Sequence, residues 1–176
     1  MLKNFSKKFL MVTLVLSLVF VTAGCSSQSS SSSPEKPAAT SAAPVNAEVP
    51  ACQLQVINGT SIVTLTEKEL DKLEKVTLEA TLQKKDGSTQ QQKWVGVPLA
   101  KVLEAAGIKE YKTVTATAAD GYAKEYTPDQ VKAAGTIVGY NLDGKTLDKD
   151  GPLEAVLKDS PGNMWVKTLS KITVYQ

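Results

Sequence analysis

A serine run at Ser29–Ser33, set in a stretch from Ser26 to Val49 built mostly of Ser, Pro, Ala and Thr, limits what this chain can fold into. Such a stretch buries too little apolar surface to offset the entropy of ordering it, so it is expected to be a disordered tether. At that length a flexible chain spans roughly 25–30 Å root-mean-square. Whatever packs a core therefore lies between about Ala51 and Gln176, enough for one domain.

The residues before the tether read as an address. Lys3, Lys7 and Lys8 precede an uncharged apolar run from Phe9 to Thr22, and the small residues Ala23 and Gly24 lead into Cys25. The run alone would also suit a short membrane-spanning helix. The segment resembles the lipobox of bacterial lipoproteins, although Thr22 stands where leucine is commonest. That resemblance implies cleavage before Cys25, whose thiol takes diacylglycerol. The expected organisation is a signal peptide over 1–24, a lipidated Cys25 with its linker over 25–50, and a domain over 51–176. The implied location is the extracytoplasmic face of the cell membrane. The bilayer would be the partner, held through the palmitate-type chains on Cys25, each buried methylene adding roughly 0.8 kcal/mol.

Composition excludes several chemistries. All 20 cations are lysines, and the chain has neither arginine nor histidine. Histidine-based triads and zinc sites are ruled out, as are bidentate guanidinium clamps on phosphate or carboxylate. Loss of the three signal lysines leaves 17 cations against 18 anions, scattered rather than striped, so no nucleic-acid partner is implied. No serine has a base to activate it, and no carboxylate pair suggests general acid–base work.

Within the domain, Gln53–Ile57 and Ser61–Leu65 flank Asn58-Gly59, a hairpin signal. Thr66 and Glu69 have capping-box spacing for a short helix to about Leu73. Val76–Leu82 and Thr89–Val95 flank Asp86-Gly87, and Pro98 is placed to begin a helix that Gly107 ends. Lys112–Ala118 and Tyr122–Tyr126 flank Asp120-Gly121. Thr127 with Gln130 caps another helix, and Thr136–Asn141 and Lys171–Tyr175 are further strands. Short strands, hairpin turns and a few small helices predict an α+β fold with mostly β, mixed sheets.

Several ordered motifs then carry a resemblance. Trp94-Val95-Gly96-Val97-Pro98-Leu99, Asp120-Gly121-Tyr122, Leu142-Asp143-Gly144 through Gly151-Pro152-Leu153, and Val166-Lys167 with Leu169 and Ile172 resemble the signature of the sulfite-oxidase-type molybdopterin-binding domain over roughly 56–174. That family binds molybdenum through a cysteine in an "L-x-C-x-G-N" context and holds the pterin phosphate with Arg, His and Lys. Here Ala80 stands at about the ligand position. Leu153-Glu154 replaces the expected arginine, and Glu154 would repel a phosphate. Lys167 alone matches the anion-binding set.

The candidate cleft residues implied are Ala80, Trp94, Asp120, Tyr122, Asn163, Trp165 and Lys167. Each also has a structural role open to it: core or rim packing for the tryptophans, turn formation for Asp120, loop geometry for Asn163, solvation for Lys167. Cys52, the other cysteine, reads as a small buried hydrophobe or as a partner for an intermolecular disulfide. No catalytic residue and no metal ligand is assigned, and no cofactor is expected except molybdopterin by resemblance. The leading expectation is a non-catalytic lipoprotein module binding a small ligand or an envelope protein. A molybdopterin-dependent oxidoreductase with atypical ligation, or an envelope scaffold, are the alternatives.

Overall fold

The computed structural model describes residues 48–149 and 151–176. The expected signal peptide, Cys25 and most of the tether lie outside the described residues. Among those described, no helix is long and apolar enough to cross a membrane.

The elements, in chain order, are β1 (Gln53–Asn58), β2 (Ser61–Thr66), α1 (Glu67–Asp71), β3 (Val76–Gln83), β4 (Thr89–Pro98), α2 (Leu99–Ala105) and β5 (Thr113–Ala118). There follow β6 (Ala123–Tyr126), α3 (Pro128–Lys132), β7 (Thr136–Leu142), β8 (Lys145–Thr146), β9 (Glu154–Leu157), a 3-10 turn (Gly162–Met164) and β10 (Leu169–Tyr175). Two sheets form. One has the order β2-β1-β10-β5-β6; the other runs β3-β4-β7-β8, with β9 also paired to β7. β1 pairs with β10 in parallel, and the other ladders are antiparallel. The α+β architecture of mixed sheets and short helices is as the sequence predicts.

Local chemistry explains most of the boundaries. Asn58 pairs with Ser61 across a two-residue turn in which Gly59 has φ of 59°. The Thr66 and Glu69 side chains close a capping box at α1, and Thr127 with Gln130 does the same at α3, where Pro128 sits in the first turn. Pro98 does not begin α2. Its ψ of 132° is extended, and it pairs with Ile137, because β7 draws β4 on to the last residue before the helix. α2 then buries Leu99, Val102 and Leu103 against the core, each contributing roughly 1.5–3 kcal/mol by leaving water.

The sequence pattern missed β9. All four of its residues are buried, so it shows no apolar–polar alternation to read. Leu54 and Val56 of β1, Val114 and Ala116 of β5, and Ile172 and Val174 of β10 join Leu78, Ala80, Trp94, Ile137 and Tyr140 of the other sheet in one hydrophobic core.

Candidate functional site

Three chain segments meet around one cavity. The β3–β4 turn supplies Leu82, Lys84 and Lys85, and the β5–β6 turn supplies Ala118, Asp120 and Tyr122. The 3-10 turn and the residues after it supply Asn163, Trp165, Lys167 and Thr168. The cavity, open to solvent, has a volume of about 480 Å³, within the range that holds small organic ligands.

Specific contacts fix these segments together. A β-bridge joins Gln83 to Pro161. A Cβ on Gly162 would come within 2.7 Å of both the Gln83 carbonyl oxygen and Leu82 Cδ1, so only glycine lets the two segments approach this closely. The Tyr122 backbone N–H donates to the Asp120 carboxylate at 2.9 Å, the bond of an Asx turn. Tyr122 donates its hydroxyl to the Asn163 carbonyl, and Tyr126 donates its own to the Met164 carbonyl at 2.8 Å. Two phenols of the β5–β6 hairpin thus anchor the 3-10 turn.

Trp165 forms the floor, buried to 3% exposure, and its Nε1 donates to the Leu157 carbonyl at 2.8 Å. Its ring meets Trp94 edge-on, with centroids 6.2 Å apart at 77°. Trp94 donates to Gln92 Oε1 at 3.0 Å, and a Cβ on Gly139 would lie 2.7 Å from its ring. The missing side chain on β7 makes room for the indole.

Asp120, Tyr122, Asn163, Trp165 and Lys167 all line this cavity. Trp94 does not, lying one layer beneath, against Trp165. Ala80 is not brought there either. It is an inward-facing core residue of β3 at 1% exposure.

The family's L-x-C context fits this strand in two registers, Leu78-Glu79-Ala80 and Leu82-Gln83-Lys84. Only the second carries its third residue to the cavity, because β3 leaves the core at half-buried Leu82. Lys84 and Lys85 are therefore the residues that sequence reasoning passed over. The available signal was Leu82, two positions before the turn. It was masked because Asp86-Gly87 stands where the family has Gly-Asn.

The cavity carries positive charge: three lysines face one aspartate. Glu154, behind this wall on β9, is 7% exposed. Burial pushes its carboxyl up to about 7, against the opposing pull of Lys167. Near neutral pH it is thus only partly ionised, which weakens the repulsion it would offer an anion. Thr168 holds φ of 48°, a left-handed conformation that β-branched residues rarely adopt. Its carbonyl accepts from the Ala119 N–H at 2.9 Å, tying the strained residue to the β5–β6 turn.

Thr168 also lines a second cavity of about 440 Å³, which contains Cys52 and Glu67. Cys52 is buried, and that burial, with the charge of Glu67 behind it, pushes the thiol up to about 11. Among the described residues no group of three or more His, Cys, Asp or Glu side chains could hold a metal ion.

Residues 43–176 match the model of the oxidoreductase molybdopterin binding domain. The chain belongs to that family. The molybdopterin-binding fold is seen again in the crystal structure of the sulfane dehydrogenase SoxCD from Paracoccus pantotrophus, to which this chain is similar with a TM-score of 0.62 and 22% sequence identity. The likeness covers 70% of this chain and 38% of that one, so it carries the fold alone. No curated protein matches the chain in sequence. The family is molybdopterin-binding, and the domain is oxidoreductase-like in architecture.

Proposed function

We propose that this is a lipid-anchored lipoprotein of the extracytoplasmic membrane face, whose molybdopterin-binding-type domain holds a small ligand without catalysing a reaction. The observation that carries the proposal is the lysine at the rim. In the register that reaches the cavity, Lys84 takes the place of the thiolate, with Lys85 beside it. A protonated amine has no lone pair for a metal and repels one.

The donor set of the cavity does not fit molybdopterin. Its lining holds no sulfur. Cys52 lines the other cavity and holds its proton at neutral pH. The chain has no arginine or histidine for the pterin phosphate. The anchoring half of the proposal is supported by the lysine-rich start, the apolar run and Ala23-Gly24-Cys25.

Metal analysis and pterin fluorescence of the purified full chain test the first half. Molybdenum well below one equivalent, with no pterin, is expected; one equivalent of each would overturn it in favour of an oxidoreductase with atypical ligation. Mass spectrometry of the N-terminal peptide tests the second, with a diacylglyceryl adduct on Cys25 expected and an unmodified Cys25 fatal.

A further inference from the structure

We propose that the cavity between the β3–β4 turn, the β5–β6 turn and Trp165 binds a small organic anion, its carboxylate or phosphate held by Lys84, Lys85 and Lys167 and its apolar body resting on Trp165 and Leu82. This deepens the reading of the cavity as a non-catalytic ligand site and rests on it.

Charge is the first argument. Three lysines line this cavity, while the one carboxylate in the lining, Asp120, already accepts the Tyr122 N–H. Among the described residues no salt bridge involves Lys84, Lys85 or Lys167. Glu154 acts on Lys167, and Asp86 on Lys84, only through space, so no ion pair closes off the charge that the three lysines offer the cavity and solvent. Lysines in one mouth raise the local concentration of anions and stabilise a bound one.

Shape is the second argument. A site for a bare inorganic ion would be small and polar, whereas this cavity of about 480 Å³ has an indole floor and Leu82 and Ala118 in its walls. Trp165 cannot swing aside to fill it, since its Nε1 is bonded to Leu157 and its ring is braced by Trp94. The floor is pre-formed, so little ordering cost falls on binding.

Lysine is a compact point charge without the planar fork of arginine, so the rim does not choose between carboxylate and phosphate by geometry. Both arms belong in the test. The full chain, labelled with 15N, is titrated with benzoate, phenyl phosphate, inorganic phosphate and uncharged benzyl alcohol while amide and indole shifts are followed.

Benzoate or phenyl phosphate is expected to move the signals of Lys84, Tyr122, Lys167 and the Trp165 indole, and whichever binds tighter identifies the headgroup. Benzyl alcohol and inorganic phosphate are each expected to bind at least about tenfold more weakly, one lacking the charge and the other the apolar body. The double substitution Lys84→Ala with Lys85→Ala should weaken the preferred anion roughly tenfold or more, with Lys145→Ala, on β8 and outside the cavity lining, as the unchanged control.

Benzyl alcohol binding as well as benzoate, an unaffected double variant, or shifts lying elsewhere would each overturn the inference, as would no binding by either organic anion. None of these bears on molybdenum content, which is what decides the reading beneath it.

Discussion

The two cavities that share Thr168 divide the chemistry between them. One contains Lys84, Lys85, Lys167 and Trp165 and no sulfur; the other contains Cys52, Glu67 and Lys149 and no tryptophan. If function were read from composition, the cavity with the thiol would be the reactive one. Position and burial reverse that reading. The thiol sits where burial keeps it protonated, and the amines line the cavity floored by Trp165. A side chain's chemistry is set by its surroundings as much as by its type.

The comparison breaks most easily at the floor. Trp94→Ala removes a side chain at 1% exposure and should cost about 3–5 kcal/mol in chemical denaturation. Trp165 would lose its brace, so anion binding should weaken as well, while the reactivity of Cys52 should stay as it was. A change in both sites would mean that the cavities are one cooperative unit.

The next effect in size is electrostatic. The Glu154 carboxyl is raised from its ordinary 4.5 to about 7, so the folded chain holds that proton more tightly than the unfolded one. The stability it lends is full below about pH 4.5 and is lost as pH rises to and through about 7. Glu154→Gln should flatten this decline, raising stability at pH 8 by up to about 3 kcal/mol over the parent, with little difference below pH 4.5. Urea unfolding at both pH values measures it, and an unchanged slope would assign the proton to another group.

Thr168→Gly, at the residue between the cavities, should relieve left-handed strain and gain about 1 kcal/mol in thermal unfolding. A loss instead would mean that the threonine side chain, packed near Gly151, stabilises more than its backbone costs. Smallest in energy, and sharpest for the comparison, is the thiol. At pH 7 only about one Cys52 in ten thousand is ionised, so iodoacetamide should react slowly, its rate climbing about tenfold per pH unit towards 11. Fast labelling at pH 7 would place a reactive thiolate in the second cavity after all.

The hairpin turns at Asn58-Gly59 and Asp120-Gly121 and the two capping boxes could be read directly from the chain, because each depends on residues within a few positions of one another. β9 could not, since a strand buried on both faces has no period to detect. Motif order names Asp120, Tyr122, Asn163, Trp165 and Lys167, which line one cavity, whereas Ala80 faces the core; two leucines four positions apart, Leu78 and Leu82, offer the same local context, and only the second lies beside the cavity lysines.

By itself the sequence determined the absence of arginine and histidine, the short-range turns and caps, and the ordered motifs of a molybdopterin-binding-type domain. Those are properties of residue type and near spacing. The tertiary structure alone decided that β1 lies parallel to β10, that β3 leaves the core at Leu82, and that Lys84 meets Lys167 and Trp165 across one cavity. Such contacts join residues some eighty or more positions apart, where no periodicity reaches and packing alone selects the register.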